Sequence, residues 1–92
     1  MQLEFVNTAT SDVFQADCDG NCTALLAVQG LIESGFVEKP TRGSYDLVHE
    51  KTEKLIPTET SFDAAGVLPG DRINVYHRGS GASLDNERQA GV

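Results

Sequence analysis

Basic residues are scarce in this chain. Its 92 residues hold 7 Lys and Arg against 14 Asp and Glu, which gives a net charge of −7 and a pI near 4.5. A protein that grips nucleic acid by its phosphates needs cationic side chains, so the balance argues against nucleic-acid binding. It argues equally against adsorption to an anionic membrane surface. Long apolar runs are also missing, and none approaches the roughly 20 residues that span a bilayer. The opening Met1-Gln2-Leu3-Glu4-Phe5 has no basic n-region, so no secretory signal is expected. Cysteine is limited to Cys18 and Cys22, which read as reduced thiols and point to a cytoplasmic protein. What is present is a 39% apolar composition, too high for a fully disordered chain. The length suits one domain with a small core, burying about 60–65% of the surface that the unfolded chain exposes.

Catalytic and metal-binding patterns are equally thin. Cys18 and Cys22 are four apart, the wrong spacing for a thioredoxin-type pair, and no second pair completes a zinc site. Near a helix start, Cys22 is expected to have a somewhat lowered pKa. Asp17, Asp19 and Asn21 around Gly20 resemble the opening of a calcium loop. The position that must supply a bidentate Glu is Val28, so the match fails. Acidic residues before a helix are more simply partners of its dipole. His49 and His77 can share a sheet, but a third ligand and a neighbouring nucleophile are not evident. Both are expected to be solvated or half-buried. Phosphate loop, nucleophile elbow and paired carboxylates are absent. The chain is therefore expected to be no enzyme and to hold no cofactor or metal.

Periodicity supplies the elements. Residues 2–7 alternate, with Leu3 and Phe5 on one face and Gln2, Glu4 and Val6 on the other, which predicts a strand. A polar turn over 8–12 leads to a second strand at 13–16. Asn21 or Thr23 can cap a helix, along which Leu25, Val28 and Ile32 recur at helical spacing with Leu31 widening the stripe. Gly35 suits its left-handed C-terminal cap, with Phe36 packing back. Residues 45–49 alternate again, 54–56 form a short strand ended by Pro57, and Ser61 can cap a single helical turn. The last strand covers 72–77, with Ile73 and Val75 facing inward. The predicted core is Leu3, Phe5, Leu25, Val28, Ile32, Leu47, Leu55, Ile73 and Val75. From Arg78 onward the pattern stops. Residues 79–92 are small and polar and are expected to form a flexible tail.

The order of hairpin, helix, strand, short strand, helical turn and final strand resembles the β-grasp of ubiquitin. Met1-Gln2-Leu3 and Phe5-Val6 resemble ubiquitin's opening strand with one extra residue. Lys54-Leu55-Ile56 through Ser61-Phe62-Asp63 and Val67 resembles the passage from its short strand through its last helical turn. Leu68-Pro69-Gly70-Asp71-Arg72-Ile73 resembles the Gly-Asp turn and final strand of bacterial ubiquitin-like proteins. The resemblance covers 1–78 and implies an α+β fold, a mixed four- to five-stranded sheet packed on one helix. It also marks a β-grasp domain at 1–78 and a tail at 79–92.

Among such proteins the nearest functional likeness is to the bacterial ubiquitin-like modifiers. Some of these are made as precursors, trimmed by a peptidase, adenylated by an activating enzyme, passed on as a thioester to a conjugating enzyme and joined to target proteins. One departure matters: Arg78-Gly79-Ser80-Gly81 stands where ubiquitin has its diglycine, and eleven residues follow to Val92. Leu84-Asp85-Asn86-Glu87 resembles the motif at which such tails are cut. The resemblance therefore implies processing around Asp85, Asn86 and Glu87, with cleavage after Asn86 and a second choice after Gly81. It implies partner binding by Val48 and Tyr76, which face away from the predicted core, together with Arg78 and Leu84. The free protein is expected to be a monomer. The alternative is a non-conjugated β-grasp scaffold, an accessory subunit of a secretion system or a multicomponent oxygenase. A sulfur carrier would need a terminal Gly-Gly, which is missing.

Overall fold

The computed structural model describes residues 1–78. Five strands and one helix follow in chain order: β1 (Gln2–Asn7), β2 (Val13–Asp17), α1 (Ala24–Glu33), β3 (Ser44–His49), β4 (Lys54–Ile56) and β5 (Arg72–Arg78). The strands form one sheet in the order β2-β1-β5-β3-β4. The central pair, β1 and β5, is parallel, with Phe5 beside Ile73 and Asn7 beside Val75. The other pairings are antiparallel. A parallel pair needs a crossover, and α1 with β3 and β4 supplies it. This is the mixed sheet with one helix of the β-grasp.

Alternation along the strands puts Leu3 and Phe5 of β1, Leu47 of β3, Ile56 of β4 and Ile73 and Val75 of β5 under the helix, all nearly inaccessible. Phe62 and Val67, from the segment between β4 and β5, close the core beside Val37. Burying each of these larger side chains contributes about 1.5–3 kcal/mol.

The helix is capped as its sequence suggests. Thr23 is the N-cap, its side chain accepting from Leu26 N at 3.3 Å. At the other end Gly35 has φ +83°, a conformation that side chains resist. Phe36 N donates to Leu31 O and Gly35 N to Ile32 O, each at 3.1 Å, which satisfies two of the last carbonyls. The phase of the helix differs from the stripe predicted. Its buried residues are Ala24, Ala27, Val28 and Leu31, whereas Leu25 and Leu26 are 46% and 56% exposed and Ile32 is only partly buried. The N-terminus is pinned by the following loop: Ala24 N donates to Thr60 O, Leu25 N to Thr58 O, and Thr23 bridges Ser61. Those bonds set the rotation of the helix and turn its two alanines, rather than Leu25, to the sheet. The small residues let the helix approach closely.

Two further expectations are corrected. Leu55 is 54% exposed, and Ile56 takes its place in the core, because β4 pairs Ile56 with the inward-facing Leu47. His49 is buried at 2% exposure rather than solvated or half-buried, because it stands at an inward position of β3 two residues after Leu47. Ser61 does cap a single turn, accepting from Ala64 N at 3.1 Å on its hydroxyl and from Ala65 N at 3.0 Å on its carbonyl. No helix among the described residues is long and apolar enough to cross a membrane.

Candidate partner-binding face

The face of the sheet turned away from α1 carries the side chains that alternate with the core. The strand register aligns them in rows. One row runs Val13, Val6, Asn74, Val48, Leu55 across all five strands. Four of its five members are apolar. Val13 and Leu55 are more than half exposed, and Val48 and Val6 are half-buried. Tyr76 stands one step along β5, opposite Asp46 and diagonal to Val48, and is 45% exposed. Diagonal neighbours lie within reach of an aromatic ring. Val48, Glu50, Glu53, Asn74 and Tyr76 line a shallow depression of about 440 Å³.

Below this row lies a polar one. Gln15 Nε2 donates to Glu4 Oε2 at 3.2 Å, Arg72 donates from Nε and Nη2 to Glu4 Oε1 at 3.1 and 3.0 Å, and Glu50 stands 3.7 Å from Arg72. The Arg72 guanidinium, aided by Gln15, holds the Glu4 carboxyl below its usual range. At the far end Arg78 pairs with Asp46 at 3.5 Å. An apolar strip bounded by charged pairs has the anatomy of a protein-docking surface, an anchor-bearing centre with a polar rim.

Val48, Tyr76 and Arg78 thus share this face. Leu55 joins them, a residue that sequence reasoning assigned to the core. The signal that places it is the pairing of Leu55 with Val48. Leu84, Asp85, Asn86, Glu87 and Gly81 lie outside the described residues.

A hydroxyl, an imidazole and a carboxylate lie in line beneath the sheet's edge. Thr52 Oγ1 is 3.4 Å from His49 Nδ1, and His49 Nε2 is 2.8 Å from Asp71 Oδ2. With the proton on Nε2 the ring donates to Asp71, and Nδ1 accepts from Thr52. The same carboxylate oxygen accepts from Leu68 N at 2.9 Å. The Leu68 amide and the His49 ring hold the Asp71 carboxyl below its usual range. The His49 ring at the centre of this network is buried. It ties the turn after β3 to the turn that opens β5, where Gly70 at φ +88° donates to Gln2 O at 2.6 Å. His77 lies elsewhere, its ring tilted against Tyr45 with centroids 5.2 Å apart. The two histidines face no common site.

Both thiols are half-buried beside the helix start. Burial pushes the Cys18 thiol up, aided by Cys22, and burial and then Asp19 push Cys22 up. The lowered pKa expected of Cys22 is thereby corrected. Cys22 precedes the N-cap, outside the first helical turn, and its Sγ lies 3.5 Å from Thr23 O, where its hydrogen is donated. The loop over 17–21 folds against Asp63, whose carboxylate sits where a Cβ on Gly20 would be. Asp63 N donates to Gly20 O at 2.8 Å. Among the described residues no three or more His, Cys, Asp or Glu side chains gather to hold a metal.

No protein-family model matches the chain, and no curated protein does. Solved structures do. The ubiquitin of Caldiarchaeum subterraneum matches at a TM-score of 0.69 and 14% identity, over 89% of this chain and 98% of that one. A de novo design based on ubiquitin matches at 0.70 and 15%, over 91% and 95%. A chain of the MycP5-free ESX-5 inner membrane complex matches at 0.71 and 16%, covering 99% of this chain but only 23% of that one. At these identities the likeness shows the fold, a ubiquitin-like β-grasp.

Proposed function

We propose that this ubiquitin-like protein is a modifier of the bacterial type, made as a precursor and conjugated through its trimmed C-terminal segment. The observation that carries the reading is the apolar row with Tyr76 on the outer sheet face, on the same strand that leads into residues 79–92. A modifier needs both features together: a face that docks an enzyme, and a tail leaving from beside that face to reach the enzyme's active site. Gly79, Ser80, Gly81, Ala82 and Ser83 have small side chains that suit a narrow channel. Cleavage after Asn86 leaves a new carboxylate. That carboxylate attacks the α-phosphate of ATP, releasing pyrophosphate and forming an acyl-adenylate. An enzyme thiolate then displaces AMP to give a thioester, and a target nucleophile displaces the thiolate. The chain supplies the carboxylate and the docking face, and its partners supply the catalysis. Val48, Leu55, Tyr76 and Arg78 serve docking, with Leu84 extending the contact along the tail. The protein works in the cytoplasm and is a monomer when free.

The test is a chain tagged at its N-terminus, recovered from host cells under denaturing conditions. Covalent species heavier than the chain are expected, and they should vanish when the chain is ended at Arg78.

A second reading has one observation of its own, the likeness to part of an ESX-5 inner membrane complex chain. Here the same face docks, without chemistry, onto a larger assembly. Recovery of the chain only at full length and only in non-denaturing complexes favours this scaffold.

A further inference from the structure

The turn that joins β3 to β4 sets an exposed hydroxyl over a buried histidine. Glu53, at φ +58°, closes that turn by donating from its N–H to His49 O at 2.7 Å, and Glu50 N donates to Arg72 O at 3.0 Å. Thr52 is thereby held with its Oγ1 3.4 Å from His49 Nδ1, a neighbouring nucleophile that the sequence alone does not reveal. On the other edge of the ring, His49 Nε2 meets Asp71 Oδ2 at 2.8 Å. Thr52 is exposed whereas His49 is buried, so the hydroxyl is the member of this row that a reagent can reach.

Beside the hydroxyl lies a cleft of about 380 Å³, which His49 and Thr52 line together with Leu55, Pro57, Ala64 and Ala65. Its walls are largely apolar, and Lys54 brings a cation to it. A threonine hydroxyl is a weak nucleophile until an adjacent base takes its proton. Here the Asp71 carboxylate accepts from Nε2–H, which leaves the Nδ1 lone pair to face Thr52. Leu68 N donates to the same carboxylate oxygen at 2.9 Å and so fixes it against the ring. A nucleophile, a base and a carboxylate that orients the base are recognised as a working set by these roles, whatever their positions in the sequence.

We infer that Thr52 is an acyl-acceptor site, whose hydroxyl takes a short aliphatic acyl group from a small-molecule thioester. Thr52 Oγ1 attacks the thioester carbonyl while His49 Nδ1 takes its proton, and Asp71 stabilises the imidazolium that results. Lys54 of the cleft offsets the charge that the carbonyl oxygen gains as the C–O bond forms. The C–S bond then breaks, and the thiolate leaves with the proton from His49. The products are an ester on Thr52 and a free thiol, and the ring is back in its first state. The transfer needs no oxidant or other co-reactant, because a thioester lies above an oxygen ester in free energy. The acyl group rests against apolar walls, where the amides of a peptide donor would lie unpaired. The site uses neither Tyr76 nor residues 79–92, so it is independent of the modifier reading.

The experiment incubates the full chain with S-butyryl-N-acetylcysteamine and maps the products by fragment mass spectrometry. One butyryl group is expected on Thr52. It should survive neutral hydroxylamine, unlike a cysteine thioester, and yield to alkaline hydroxylamine, unlike a lysine amide. Thr52→Ser should keep the label and Thr52→Val should lose it. In urea, with the base no longer held beside the hydroxyl, labelling of Thr52 should slow by about a hundredfold. Asp71→Asn keeps an oxygen for Leu68 N and for Nε2–H but removes the charge that stabilises the imidazolium. Its labelling at saturating probe should slow by about a hundredfold with the half-saturating concentration unchanged, a split that looser packing alone would not give. In the parent, ring-nitrogen NMR should find the proton of the neutral His49 on Nε2. Four results would each overturn the assignment: a folded chain with no ester on Thr52, equal labelling in urea, a neutral parent ring protonated on Nδ1, or a folded Asp71→Asn that labels as fast as the parent. Should Asp71→Asn fail to fold, the urea comparison and the ring proton of the parent still decide.

Discussion

At the scale of single residues, the buried imidazole of His49 and the carboxylate of Asp71 join two turns that lie 22 residues apart in the chain. Asp71 is ionised more readily in the folded protein than in the unfolded one, because Leu68 N–H and His49 stabilise its charge. A depressed carboxyl pKa contributes stability that is fully present above the unfolded value, near 4. That stability is lost as pH falls through the lower folded value. In urea titrations the unfolding free energy should therefore drop as the pH is lowered past the unfolded value. Asp71→Asn should be less stable at neutral pH and show a shallower acid slope, with part of the slope left because Arg72 also holds Glu4 low. An identical slope in the variant would remove the pair from the account. Composition and alternation made Val48 and Tyr76 legible, since both are the off-phase residues of strands with clear inward partners. His49 was not legible. A histidine at an inward position is read as polar until Asp71, 22 residues on, is seen to meet it.

At the scale of elements, strands were easier to read than the helix. Period two leaves one choice of face, and β1, β3 and β5 follow it. A helix stripe has more freedom, and bulky leucines outweigh alanines when only hydrophobicity is weighed. The bonds from Ala24 and Leu25 to the 58–60 loop decide the phase instead, and they join segments far apart in sequence. β4 is three residues long, too short for alternation to separate Leu55 from Ile56. Thermal or urea melts check this phase. Leu31→Ala should cost about 2–5 kcal/mol and Ile73→Ala a similar amount, while Leu25→Ala should stay near 0.5 kcal/mol, as at other exposed positions. A severe loss from Leu25→Ala would restore the stripe read from the sequence. Gly35→Ala should cost about 1–2 kcal/mol, because it forces a Cβ into the left-handed region.

At the scale of the whole molecule, the β-grasp order was legible because each turn carries its own chemistry: Gly35 after the helix, Pro57 after β4, and Pro69-Gly70-Asp71 before β5. The outer face was legible only in part, since the row from Val13 to Leu55 exists only once five strands are in register. Two substitutions separate that face from the fold. Val48→Asp and Tyr76→Ala should leave the melting curve nearly unchanged and weaken binding of a cognate activating enzyme by 1 kcal/mol or more each, read by titration calorimetry. Unchanged affinity in both would move the docking site elsewhere.

The central claim is that the chain becomes covalently attached through a trimmed tail. Intact-mass spectrometry tests it most directly, on the chain co-expressed with a candidate peptidase and activating enzyme. The account predicts a product ending at Asn86, which has lost Glu87 through Val92, together with thioester or target adducts on that new terminus. A chain that keeps its full mass through Val92, with no thioester and no adduct, would contradict it and leave the scaffold reading in place.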